Sequence, residues 1–114
     1  MNVIGPLADP VAHGGNAEDA FHIVCPSLPG FAYSDKPSSP GWSTVKIGEA
    51  WAKLMAKLGY ERYLAQGGDW GSIVTPAIAN ADPEHCAAIH LTMPIAPPDP
   101  ETFVSLTERE QAAA

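Results

Sequence analysis

An α/β fold with parallel strands is what this 114-residue sequence predicts. Three observations lead there. Short apolar runs, with the look of buried strands, recur at 21–26, 62–67 and 87–92. Helical periodicity fills the spans 43–58 and 70–81 between them. The links from the first helix onward are short, which suits strand–helix–strand units with right-handed crossovers.

The elements follow in chain order. Residues 1–20 are rich in Gly, Pro, Ala and Asp, with a turn signal at His13-Gly14-Gly15-Asn16. No strand or long helix fits there, and Asn2 to Leu7 reads as the tail of a helix whose beginning is absent. Phe21 to Pro26 reads as a short buried strand. Residues 27–42 form a long loop, punctuated by Pro29, Pro37 and Pro40. The clearest helix comes next. Ser43 is its N-cap, and Ile47, Trp51, Leu54 and Leu58 form one apolar stripe. Lys46, Glu49, Lys53 and Lys57 fall on the solvated side, with Glu49 and Lys53 at a favourable i,i+4 spacing. Gly59 supplies the stop. Arg62 to Gly67 is the next strand, followed by a helix over 70–81 that ends at Asp82-Pro83. Pro76 removes a backbone donor inside that helix and should kink it. Residues 87–92 are the third strand. Four prolines between Pro94 and Pro100 mark a boundary, so residues 1–93 read as one unit and 94–114 as a linker and the start of another. Thr107 and Glu110 have the spacing of a capping box.

Composition narrows the function classes. Apolar residues make up 46%, and the net charge is −7, with acids scattered along the chain. That disfavours nucleic acid and anionic membrane partners. The apolar runs are too short to span a bilayer. The first residues lack the basic and apolar regions of a signal peptide, so a cytoplasmic location is expected. Cys25 and Cys86 lie in apolar strand-like segments and read as buried free thiols. No His/Cys spacing suggests a metal site, and no cofactor is implied.

The chemistry is concentrated in Gly67-Gly68-Asp69-Trp70-Gly71-Ser72, where a strand should stop and a helix begin. The pattern small-x-acid-x-small is a nucleophile elbow with Asp in place of Ser. In an elbow the central residue occupies a strained turn, and side chains at the flanking glycines are expected to clash with facing backbone. The new helix aims its N-terminal amides at the central residue. An Asp placed so forms an ester with an electrophilic carbon, which suits epoxides or alkyl halides rather than acyl groups. The plainer reading makes Asp69 an N-cap, but capping requires neither glycines on both sides nor a neighbouring Trp.

These residues resemble the epoxide hydrolases of the α/β-hydrolase superfamily, in particular the microsomal-like branch and its bacterial relatives. The matching stretches are Cys25-Pro26-Ser27-Leu28-Pro29-Gly30-Phe31, then Ser34, then Gln66-Gly67-Gly68-Asp69-Trp70-Gly71-Ser72, with one amphipathic helix ending Lys57-Leu58-Gly59-Tyr60 between them. Ile4-Gly5-Pro6-Leu7 and His13-Gly14-Gly15 fit the bacterial members. The resemblance implies an incomplete α/β-hydrolase fold, with the start of a helical cap at the C-terminus. It makes Asp69 the nucleophile and Trp70 the donor of an oxyanion-hole N–H that also lies against substrate. It implies an epoxide and water as the small-molecule partners and detoxification as the setting. The family's His-Gly-x-Pro, catalytic His, relay acid and cap tyrosines do not map onto this chain. In the family order, the strand before His-Gly-x-Pro lies between those at 21–26 and 62–67. The sheet is therefore expected to close up or to show bare edges, leaving the isolated chain marginally stable or poorly soluble.

Other polar residues have plainer readings. Trp70 could also be a core aromatic. His22 and His90 read as packed or sheet-end histidines, and His13 and His85 as exposed loop residues. Tyr60 and Tyr63 lie opposite the elbow and read as packing, whereas Tyr33, in a loop after a strand end, is a candidate for lining the pocket. Two alternatives stand beside the epoxide hydrolase. A haloalkane dehalogenase also pairs Asp with Trp, but more typically places His or Gln before the Asp, where this chain has Gly68. A non-catalytic pseudoenzyme or interaction fragment is the third. Neither the natural epoxide nor the oligomeric state is readable from the sequence.

Overall fold

The computed structural model describes residues 2–96 and 107–111. The chain divides into two compact units, one ending at Ser38 and one starting at Ser39.

The first unit holds α1 (Ile4–Ala8) and two single 3₁₀ turns, Val11–His13 and Ala17–Asp19. The short helix stands where a helix tail was expected. The expected strand at 21–26 does not form. Residues 21–28 join no ladder, Phe21 and Cys25 are exposed, and the Phe21 N–H donates to the Leu7 carbonyl at 2.8 Å. Apolar content alone does not make a strand, because its backbone groups need a ladder partner. Here the end of α1 takes the first donor. His22 is therefore not a strand residue, and Cys25 is not a buried thiol. The following loop is tightly bonded. Ser34 Oγ donates to the Ser27 carbonyl at 2.6 Å, and Gly30 N–H to that of Asp35 at 3.0 Å.

The second unit is the strand–helix–strand unit that the sequence predicts, with a helix before it. It runs α2 (Thr44–Lys57), β1 (Tyr63–Gly67), α3 (Gly71–Ala81) and β2 (Cys86–Leu91). Ser43 Oγ accepts from the Lys46 N–H at 3.3 Å and caps α2. Gly59, at φ 82°, ends it. There the Gly59 N–H reaches Ala56 O and the Tyr60 N–H reaches Met55 O, the two bonds of a Schellman motif. Ile47, Trp51 and Leu54 are half-buried, but Leu58 at the frayed end is exposed. The most buried point of α2 is Gly48. A methyl group there would lie 2.7 Å from the Ala77 backbone, so α2 and α3 cross at contact distance. No ion pair joins Glu49 to Lys53 among the described residues, as is common for exposed pairs.

β1 and β2 pair in parallel, Leu64 with Ala88 through Gly67 with Leu91, with a bulge after Tyr63. The α3-facing side carries the core: Tyr63, Ala65, Val74, Ile78 and Cys86, with Ser72 and Thr75. The opposite side leaves Leu64 exposed, and among the described residues the two strands pair only with each other. Bare edges, rather than closure onto a third strand, are the outcome. Beyond β2, residues 97–106 lie outside the described residues, including three of the four prolines taken as a boundary. A last short helix, α4 (Glu108–Gln111), begins directly after Thr107, the residue expected to open it.

Candidate active site

β1 delivers the chain to the site and α3 carries it away. Between them, Asp69 takes φ 54°, the left-handed region that few residues other than glycine adopt. Such a conformation costs on the order of 1–3 kcal/mol and persists only where the surroundings impose it. Gly67 helps to impose it. A methyl at Gly67 would be driven into Gly71 O, Gly71 C and Thr75 Oγ1. The two backbone passes of the turn are therefore in contact at Gly67. Gly71 differs from expectation. A methyl there would meet nothing within 4 Å. Gly68 is crowded by a different partner, since a methyl there would collide with Thr92 Oγ1.

Asp69 does not cap the helix. Trp70 holds the N-cap position with no side-chain capping bond, and the Asp69 carboxylate is exposed with no hydrogen-bond partner among the described residues. The Asp69 carbonyl accepts from the Ser72 N–H at 2.9 Å, which ties the turn to the first turn of α3. Among the described residues the Trp70 N–H donates to no backbone carbonyl, so it is available to an outside acceptor. Trp70 itself is 60% exposed, so it is not a core aromatic. The site thus joins an open carboxylate, an uncommitted amide and a helix N-terminus, an arrangement suited to nucleophilic attack and to holding a developing negative charge.

Tyr33 belongs to the first unit and is fully exposed, beside Ala32 at φ 43°. No histidine hydrogen-bonds to Asp69 among the described residues. His90 is exposed on β2 opposite Gln66. Among the described residues, no group of three His, Cys, Asp or Glu is arranged to hold a metal either.

At the other end of the strands lies a cluster that the sequence reading missed. Asp82, the C-cap of α3, accepts from Tyr63 Oη at 2.8 Å and meets His85 Nδ1 at 2.5 Å. The hydrogen bond from His85 holds the Asp82 carboxyl below its ordinary range, and the same bond raises the His85 imidazole. Burial, then the bond to Asp82, pushes the Tyr63 phenol above its ordinary value. The Asp-Pro-x-His spacing after a helix was the available signal, since it returns a histidine to the capping carboxylate within one turn.

Residues 10–114 match the alpha/beta hydrolase fold family. The chain is 50% identical over 99% of its length to a Stigmatella aurantiaca protein named "Putative epoxide hydrolase", of which that stretch makes up 26%. It is 38% identical to epoxide hydrolase 1 of Oryctolagus cuniculus over 80% of the chain and 20% of that protein. In structure it is similar to the juvenile hormone epoxide hydrolase of Bombyx mori. The TM-score is 0.63 at 36% identity, covering 68% of this chain and 18% of the other. The chain thus spans about a quarter or less of the length of these relatives.

Proposed function

The chain belongs to the alpha/beta hydrolase fold family, and on that premise we propose that it carries the nucleophile of an epoxide hydrolase. The observation that supports this best is Asp69 itself: a left-handed carboxylate at a strand-to-helix turn, open to solvent and unpaired. An Asp69 oxygen attacks the less hindered epoxide carbon and the ring C–O bond breaks. The released oxygen takes a proton from an acid, and an alkyl ester joins substrate to Asp69. Water then attacks the ester carbonyl. The Trp70 N–H is placed to stabilise the oxyanion, and collapse frees the diol and restores the carboxylate. The relatives' names, all epoxide hydrolases, support the same substrate class.

Proton donation to the ring oxygen and a base for the water step fall, by the family resemblance, to residues that do not map onto this chain. A missing general base alone costs roughly 10²–10⁴-fold in typical cases. The 114-residue chain by itself is therefore expected to give no sustained diol formation. The catalytic test uses a chimera in which this chain replaces the matching stretch of the Stigmatella relative. Asp69→Ala should abolish diol formation from styrene oxide. In a single turnover in ¹⁸O-water, peptide mass spectrometry should find label in Asp69. Label in the diol alone would mean direct attack by water and would overturn the nucleophile assignment. Chloride release from a haloalkane would instead favour a dehalogenase.

A further inference from the structure

The Thr92 side chain stands beside Gly68, one residue before the proposed nucleophile, and nothing in the reaction described above uses it. β2 ends at Leu91, level with Gly67, but its pairing with β1 runs one residue further. The Thr92 N–H donates to the Gly67 carbonyl at 3.1 Å. That bond pins Thr92 against the turn. A methyl on Gly68 would lie 2.3 Å from Thr92 Oγ1 and 3.7 Å from its Cβ. Real Cβ atoms do not approach other atoms to 2.3 Å, so the threonine fills the space that a side chain at 68 would need.

We propose that Thr92 is a positioning residue for Asp69: wedged against Gly68, it holds the elbow in the conformation that presents the carboxylate, and it excludes any larger residue at position 68. This rests on the reading of Asp69 as nucleophile. Thr92 is exposed, so the constraint is set by its rotamer and its backbone bond. Threonine carries two heavy atoms on Cβ, and only the χ1 setting that turns its hydrogen toward Gly68 would relieve the clash. With the Thr92 backbone held by its bond to Gly67, a larger residue at 68 would instead shift the turn. Asp69 at φ 54° has little freedom to absorb such a shift. The wedge also gives a steric account of why the His or Gln of the dehalogenase pattern does not suit this chain.

A double-mutant cycle tests this with Gly68→Ala, Thr92→Ala, both together, and Thr92→Val. Two readouts are taken: the thermal midpoint of the 114-residue chain, and kcat and KM for styrene oxide in the chimera. Gly68→Ala should lower kcat by about 10-fold or more while KM stays within about 3-fold, because the attack geometry is lost rather than binding. Adding Thr92→Ala should bring kcat back to within about 3-fold of Thr92→Ala alone, the non-additivity expected of residues in contact. Thr92→Val keeps the branched shape and should retain more of kcat than Thr92→Ala. In the midpoint cycle, Gly68→Ala should destabilise much less when residue 92 is alanine. Equal losses with threonine and alanine at 92 would overturn the wedge. If the parent chimera releases no diol, the catalytic reading fails instead, and the midpoint cycle still decides whether Thr92 and Gly68 are coupled.

Discussion

At the carboxyl ends of β1 and β2, Asp69 has no partner among the described residues. At their amino ends, Asp82 has both carboxylate oxygens engaged, by Tyr63 and by His85. Its carbonyl accepts from the Cys86 N–H at 2.9 Å, and its own N–H donates to Ile78 O at 2.9 Å. The same residue type stands at each end of α3 and is used in opposite ways. The Asp69 end carries a left-handed Asp and, among the described residues, a buried Ser72 hydroxyl without a hydrogen-bond partner. The opposite end carries neither. Local cost is concentrated at the turn that carries the proposed nucleophile, and the satisfied end closes the strands and helix that flank that turn.

The largest effect should come from Gly67. Gly67→Ala forces a methyl into the Gly71 backbone, a contact that only movement of the turn can relieve. A loss of about 3 kcal/mol or more is expected. Gly71→Ala places its methyl in open space and exchanges a poor helix former for the best one. A change within about 0.5 kcal/mol, or a small gain, is expected. Denaturant melts of both variants check this contrast, and equal losses would show that the turn is not closed at Gly67.

Removing polar groups at the two ends should have opposite signs. Asp82→Ala deprives the largely buried Tyr63 phenol of its acceptor and should cost about 3 kcal/mol, and Tyr63→Phe about 1–2. Ser72→Ala deletes a hydroxyl that has no partner and should raise stability by about 1 kcal/mol. Midpoints that fall for all three would mean that Ser72 finds an acceptor and that the Asp69 end is less strained than its geometry indicates.

The elements that the sequence made legible are those with local causes. Ser43, the Gly59 stop and the apolar stripe specify α2 through near neighbours, and Gly67-Gly68-Asp69-Trp70-Gly71 specifies the turn. Where the cause is distant, sequence reading failed. Phe21 to Pro26 has the composition of a strand, but a ladder depends on what lies alongside it. The sequence shows Gly68 only as part of a family motif, and the contact that a side chain there would make, with Thr92, 24 positions later, appears only in the fold. The Tyr63–Asp82 bond spans 19 positions and needs the register of β1 against β2 to be known first.

The mildest test acts on His85. Its pKa lies above the ordinary 6.5, chiefly through the hydrogen bond to Asp82, with Glu84 and Glu61 adding attraction. A raised folded-state pKa means that the folded chain binds the proton more tightly than the unfolded chain. The stabilisation is therefore full below about pH 6.5 and is lost as pH rises through the folded value. Asp82, lowered from 3.8, acts on the other side: its contribution is present above about pH 4 and is lost as pH falls through its depressed value. The Tyr63 phenol stays neutral throughout this window, and the buried Cys86 thiol is also raised above its ordinary value. The thermal midpoint should therefore be highest between about pH 4 and 6.5 and decline above it. His85→Gln keeps a polar side chain but cannot take up the proton, so the decline above pH 6.5 should flatten while the acid limb remains. Because His85 is exposed, the pair is screened, and the decline should shrink further at 0.5 M salt, where the Debye length falls to roughly 4 Å. A decline that survives in His85→Gln would place the titrating group elsewhere in the fold.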